Sequence, residues 1–444
     1  MFRLPSVIKR ILKKTAAAGA ALALCLQCGC SAGISVDNLL TPPKLSSEQE
    51  QIYQALRDTT GSAISLKYPK SGTYLSAFII ADLDDDEGDE AIVFYEKTGM
   101  PAADSGLRIN VLDCIDEEWL SVCDRSAEGT EIEKVMITRL GDHDRINVVV
   151  GCSSANQSDK YVSVYEYTDN YLDLNFSQSC VKFDVGSPDG KTNDLILLGS
   201  ANAAGRAFAA VYQLDADGVY HEYKYRFDDA YTDYSQMIYG QLRDGRTVLY
   251  VDAVSGTSEL RTEILCLEDR FVNLLAECGK TPADTLRRAG LVSRDIDHDG
   301  VPEIPVQTVF PGYEEAAESE QMRMTKWMML EQNRMFTEHY SYYSINDGYL
   351  LVLPDAWVDK VTVMREPLTG ELLVCEYNGR LDADMPVLLR LYISYDEADT
   401  EEHLAAGYDL YHTKGTAAYL VKAEPSETLP VSAGDLLMAF RFVS

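Results

Sequence analysis

The 444-residue sequence predicts a mainly β chain, a β-propeller of about five blades followed by a small α+β domain. Two periodic markers and one change of pattern predict it. The first marker is a polar loop bearing Asp or Gly that runs straight into an apolar β run, in 82–95, 139–152, 186–199, 242–252 and 295–307. The last loop residues before these runs are Glu90, Asn147, Asp194, Thr247 and Glu303, at intervals of 57, 47, 53 and 56. Short runs rich in β-branched and aromatic residues suit buried strands. The second marker is an alternating strand, a polar turn and then an aromatic. Those aromatics are Trp119, Tyr171, Tyr220, Phe271 and Phe336, spaced by 52, 49, 51 and 65 residues. Alternation broken by Asp, Asn or Gly is a hairpin.

A unit of four short strands cannot cover both of its faces alone. Stacking the units around an axis covers each sheet with the next and leaves only short edges, which is the propeller solution; a solenoid of stacked sheets is the alternative. Five units place the propeller at 60–345, with Tyr74–Ala81 or Tyr340–Ser344 as the strand that completes the blade at the other terminus. The acidic insert 312–321, a surface loop, lengthens the last interval. After 346 the pattern becomes mixed. Strands are expected at 349–354, 360–364, 371–377 and 387–395, a helix near Thr400–Ala406, a hairpin over 408–424 and a helix near Ser432–Phe440. Together they make the α+β domain, 346–444. Upstream, 31–59 reads as a stiff spacer, Thr41-Pro42-Pro43, and a short helix to about Arg57 opened by a capping box at Ser47–Glu50.

Charge narrows the partners. Lys and Arg number 39 against 71 Asp and Glu, a net −32, which repels phosphate backbones and anionic headgroups and excludes nucleic acid as a partner. The N-terminus differs. Arg3, Lys9, Arg10, Lys13 and Lys14 precede the apolar Thr15–Leu26, which falls short of the ~20 residues that span a bilayer. Residues 1–30 therefore read as an export signal. Its removal takes five positive charges and no acid, so −32 becomes −37. Gln27-Cys28-Gly29-Cys30-Ser31 resembles the bacterial lipoprotein box, in which a small residue precedes a Cys that is cleaved at its N-terminal side and lipidated. The resemblance implies lipidation at Cys30. Gln27 stands where Leu is usual, and Cys28 or Cys25 are the alternatives. Such a chain sits on the outer face of the cytoplasmic membrane and meets the bilayer only through its lipid. Seven cysteines follow Cys30, an odd number, so at least one is free or pairs with another chain; buried apolar thiols are the expectation.

Asp295-Ile-Asp297-His-Asp299-Gly300-Val-Pro-Glu303 sets carboxylates at positions 1, 3, 5 and 9 of a loop. Ca²⁺ takes six to eight hard oxygens, and alternate residues of a tight turn aim theirs at one point. Asp82, Asp84, Asp86 and Glu90 occupy the same four positions of the first loop, with Gly88 shifted by one. The competing reading is a solvated turn, since Asp favours turns. The intermediate loops keep fewer acids, and Asp215-Ala-Asp217-Gly218 reads as a hairpin turn.

Over roughly 75–345, and chiefly at 82–90 and 295–303, the repeat resembles the FG-GAP/VCBS repeats of integrin-α-type propellers, and the whole chain resembles propeller lipoproteins of Gram-positive bacteria. The resemblance implies one or two structural Ca²⁺ ions held by the eight carboxylates named above. The six histidines, 143, 221, 298, 339, 403 and 412, form no HExxH, and GxSxG, Walker and GxGxxG motifs are absent. The expected function is therefore an exported, lipid-anchored binding or scaffold protein whose partner is a surface protein or glycan, rather than an enzyme. The alternatives are an exported hydrolase or lyase acting on polysaccharide, with the propeller as its frame, and a structural envelope or spore component.

Overall fold

The computed structural model describes residues 45–443 except Ser62, Glu87, 100–105, 155–158, 202–204, Asp229 and Val431. The expected export signal and spacer and the candidate lipidation site Cys30 lie outside them. Contacts divide the chain after Gln54. At the end of the first unit the helix Ser47–Thr60 begins. Its capping box lies one residue earlier than expected: the Gln49 amide donates to Ser46 Oγ and the Ser46 amide to Gln49 Oε1, both at 3.1 Å. The shift has a backbone cause. Glu50 N donates to the Ser46 carbonyl, the first helical bond, and that makes Ser46 the cap.

The second unit, Ala55–Ser444, is mainly β and holds six antiparallel sheets in chain order. The first pairs Phe78–Ala81, Glu90–Lys97, Leu107–Ile115 and Glu118–Ser126, with Ile64–Leu66 added on Glu90–Lys97. The second runs Glu131–Arg139, Ile146–Ser153, Lys160–Thr168, Tyr171–Cys180, and the third Lys182–Gly186, Asp194–Gly199, Phe208–Leu214, Tyr220–Arg226. Tyr234–Gln241, Thr247–Ser255, Glu259–Leu267 and Phe271–Asn273 make the fourth. The fifth comprises Ile304–Val309, Arg323–Glu331, Arg334–Ser344, Tyr349–Val352 and Phe440–Phe442. The sixth comprises Val361–Arg365, Leu372–Glu376, Val387–Ser394, Ala417–Ala423 and Asp409–Lys414. Three of the five positions of each sequence marker open a strand, and the others lie within two residues of a strand start. Glu90, Asp194 and Thr247 open their strands, and Tyr171, Tyr220 and Phe271 open the strand after a hairpin. Three of the hairpins turn on paired left-handed residues, Asp116-Glu117 (φ 52° and 67°), Asp169-Asn170 (51° and 64°) and Gln332-Asn333 (47° and 57°), the two-residue turn that suits strand twist.

Side-chain parity shows how the sheets stack. Successive strand residues face opposite sides, yet Ile146–Ser153 and Asp194–Gly199 are buried at both parities. Val148, Val150 and Cys152 pack with Ile92 and Phe94 of the first sheet. Val149, from the opposite face, packs with Leu195 and Leu197 of the third. Ile196 and Leu198 then meet Leu249 and Val251, while Val248 and Tyr250 meet Ile304 and Met329. Finally Tyr342, Tyr349 and Leu351 meet Val361, Val363 and Val374. Each sheet is thus covered by its neighbours in chain order.

Two expectations need correction. The boundary at 345/346 falls between Arg334–Ser344 and Tyr349–Val352, which pair in one sheet, and Phe440–Phe442 returns to pair with Tyr349–Leu351. The elements foreseen after 346 form, but one face of the sixth sheet shares its core with the fifth, and the contacts mark off no separate body there. Nor does Tyr74–Ala81 or Tyr340–Ser344 complete a distant sheet. Phe78–Ala81 pairs with Glu90–Val93, and Ser341–Ser344 with Tyr349–Val352. All seven cysteines beyond Cys30 are free thiols. Cys152, Cys180, Cys266 and Cys375 are buried, and burial pushes Cys152 and Cys180 up to about 12. Among the described residues no helix is long and apolar enough to cross a membrane.

Between the fourth and fifth sheets the chain makes an excursion not expected from the sequence. It contains the short helix Leu274–Glu277, the turn Pro282–Thr285 and Arg287–Arg288, which pairs back on Glu259–Leu260. A buried ion pair fastens it. Arg287 Nη2 donates to Asp252 Oδ1 at 2.6 Å, with both side chains fully buried. Thr262 Oγ1 (2.6 Å) and Ser293 Oγ (2.7 Å) donate to the same oxygen, and Ser293 N to the other (2.6 Å). Arg287 Nε and Nη1 donate to the Leu291 and Thr285 carbonyls, and Nη2 also to Ser293 Oγ. Removing one partner of such a pair strands the other charge, at a cost of about 3–5 kcal/mol. Asp252→Asn should therefore lower the unfolding free energy obtained from urea titration by about 3–5 kcal/mol. A loss below about 1 kcal/mol would mean that packing alone holds the segment.

Candidate metal centre

In the fifth loop the backbone is wrapped around its own acids. Asp295 accepts from the amides of His298 (2.6 Å), Asp299 (3.2 Å) and Gly300 (2.9 Å). Asp297 accepts from Asp299 N (3.2 Å), and Asp299 from Val301 N (2.8 Å). His298 (φ 66°) and Gly300 (φ 91°) take left-handed conformations, which Gly adopts without strain. Ile296 and Val301 are buried and anchor the loop, and Arg294 and Glu303 bridge at its neck. Oxygens of Asp295, Asp297, Asp299 and Glu303 all lie within 4.8 Å of one another.

Glu303 is the singular member. It is fully buried, and Oε2 accepts from Ile296 N at 3.0 Å. Oε1 has no partner. Burial first, then the neighbouring Asp297, Asp295 and Glu338, push its carboxyl up to about 8. A divalent ion would supply what this oxygen lacks and offset the mutual repulsion of the acids. The donors are hard oxygens, so they fit Ca²⁺.

The first loop repeats the design. Glu90, almost wholly buried, accepts from Leu83 N at 2.8 Å, and Asp82 accepts from Asp84 N and Asp85 N. Burial, then Asp84 and Asp113, push Glu90 up to about 7. Oxygens of Asp82, Asp84 and Glu90 converge. Asp86, expected as a fourth ligand, lies outside the converging group, and its Oδ1 accepts from Gly88 N at 2.5 Å instead.

The loops between show how the same closure works without an ion. Asn147 takes the place of Glu and accepts from Leu140 N across the same seven-residue span. Asp194, buried, is served by Thr192 Oγ1 (3.1 Å) and Gln213 Nε2 (2.8 Å), and Asp244 by the Arg246 guanidinium. Asp215 caps a hairpin, accepting from Asp217 N and Val219 N, as its sequence suggested.

Two residues near the fifth loop were not found from sequence. Glu338 and His339 come from the strand Arg334–Ser344; His339 Nε2 lies 3.0 Å from Asp297 Oδ2, and Arg243 bridges Asp299 (3.1 Å) and Glu338 (2.5 Å). They carry no motif, since their relation to the loop arises only from sheet pairing. Beside the first loop lies an open recess of about 350 Å³ lined by Asp84, Asp85, Asp144, Arg145 and Tyr167.

The buried Glu303 predicts a pH dependence. An unfolded glutamate loses its proton near 4.5, whereas Glu303 keeps it to about 8 in the folded chain. Between these values the folded state holds more protons, so stability falls as pH rises. Chelator-treated protein should melt at progressively lower temperature across that window, and Glu303→Gln should melt with a flatter profile. Equal slopes in both proteins would show that Glu303 is not the titrating group.

No protein-family model and no curated protein matches the chain. Among solved structures, the exotype rhamnogalacturonan lyase YesX aligns over 60% of this chain and 62% of its own, with 11% identity and a TM-score of 0.23. The chain thus spans less than two thirds of that lyase. The Bombyx mori GH32 beta-fructofuranosidase BmSUC1 aligns over 75% of each chain, with 10% identity and a TM-score of 0.24.

Proposed function

We propose that the chain is an exported, lipid-anchored binding or scaffold protein whose stacked sheets are blades of a β-propeller of the FG-GAP/VCBS kind, stiffened by structural Ca²⁺. The observation that carries the calcium reading is Glu303, a buried carboxylate with an unpartnered oxygen amid three aspartates. Asp295, Asp297, Asp299 and Glu303 would hold one ion; Asp82, Asp84 and Glu90 would hold a second. The ion's contribution is charge neutralisation, which fixes the turn feeding the second strand of its sheet. A structural role fits the placement of the perturbed carboxyls. Glu90, Asp194 and Glu303, the acids raised most by burial, stand at strand heads where they close loops. A surface protein or glycan is the partner this reading favours, and the polar recess beside the first loop would suit a hydroxyl-rich ligand.

Calcium at about a hundred times its dissociation constant should stabilise the stripped protein by about 2.7 kcal/mol, read as a rise in melting temperature. Asp297→Ala with Asp299→Ala should remove the fifth loop's share of that rise, leaving only the share of the first loop, while the melting point in chelator stays close to that of the parent. Equal loss with and without chelator would remove the metal from this account. For the anchor, a Cys30→Ser precursor expressed in a Gram-positive host should accumulate unprocessed, and normal processing would move the lipid to another cysteine.

A further inference from the structure

We infer that Glu338 and His339, with Asp297, form a second cation position beside the fifth loop, one that takes a borderline divalent ion of the zinc–manganese class. Ligand atoms of these three side chains lie within 4.8 Å of one another. Glu338 and His339 are consecutive in a strand, where neighbouring side chains ordinarily point to opposite faces. Here the register steps from Trp327↔His339 to Met328↔Thr337, which leaves Glu338 as the extra residue of a β-bulge. A bulge re-aims side chains, and this one lets both residues reach Asp297.

Burial and hydrogen bonding point the same way. Arg243 holds Oε1 of Glu338, while Oε2 is shielded from solvent and has no partner. In the adjoining set, which shares Asp297, the fully buried Glu303 also has an unpartnered oxygen. An unserved buried acceptor is destabilising, so two of them around one shared aspartate mark a place built for something further. The bulge between Lys160–Thr168 and Tyr171–Cys180 in the second sheet offers a contrast. Its extra residue, Asn175, donates to Glu166 Oε2 at 3.2 Å, an acceptor that also meets His143 Nε2, so the carboxylate there is served by the protein itself.

Donor chemistry selects the ion. The loop presents oxygens alone, which suits calcium. An imidazole with two carboxylates suits zinc or manganese and leaves coordination positions open to water or a ligand. Asp297 would bridge the two positions, but the other calcium ligands are not involved, so this inference and the calcium reading can fail separately.

The test uses the full mature protein, stripped with chelator, saturated with Ca²⁺ and then dialysed against Zn²⁺. The wild type should retain one equivalent of zinc beyond its calcium. Glu338→Gln and His339→Gln should each weaken zinc binding by at least about tenfold while keeping the calcium-dependent rise in melting temperature. Zinc that displaces calcium mole for mole, or that binds both variants as tightly as the wild type, would overturn the second position. If a variant fails to fold, the wild-type result decides alone: calcium-saturated protein that takes up no zinc refutes the inference.

Discussion

Every sheet in Ala55–Ser444 whose second strand is apolar at both parities needs cover on two faces, and only another sheet supplies it. That constraint organises the rest. The strands Glu90–Lys97, Ile146–Ser153, Asp194–Gly199 and Thr247–Ser255 are almost continuously buried, and the last three send alternate residues into two different cores. At about 25 cal/mol per Å² of apolar surface, such a strand is stable only with both neighbours present. Sheets with these strands fold as a series, not as independent modules.

The same constraint explains the loops. A strand buried on both faces begins in the core, so its first backbone groups and the loop closing onto it need polar partners out of reach of water. The chain meets this with a side-chain acceptor at the strand head, which takes the amide seven residues back at Glu90, Asn147 and Glu303. Asn does this without charge. Asp194 takes side-chain donors instead, Thr192 Oγ1 and Gln213 Nε2. Glu does it at the expense of a buried carboxylate, and there the other loop acids gather. The acid count of each loop therefore follows from which acceptor heads its strand.

Much of the architecture was legible in the sequence because burial on both faces leaves a period. The strand heads and hairpin aromatics recur near fifty residues, and the structure starts its strands there. The sixth sheet was read as a separate domain because it carries neither marker; its attachment depends on Tyr349, Leu351 and Phe440, whose shared core is a matter of pairing across distant segments. At the loops, Asp295, Asp297, Asp299 and Glu303 were legible from spacing. Asp86 misled, because its position in the motif ignored the bond it makes to Gly88. Glu338 and His339 were invisible, since a bulge on a partner strand writes no local pattern.

The return of Phe440–Phe442 to Tyr349–Leu351 closes the intervening chain into one long cycle with the sixth sheet inside it. Ring closure of that size carries an entropic penalty that grows only slowly with length, but it comes late, when the C-terminal segment arrives. For a polypeptide threaded outward from its N-terminus, the fifth sheet would wait with an open edge until Phe440–Phe442 arrives. A nick in the exposed turn at Leu368 would leave two fragments held together by pairing and packing rather than by a peptide bond.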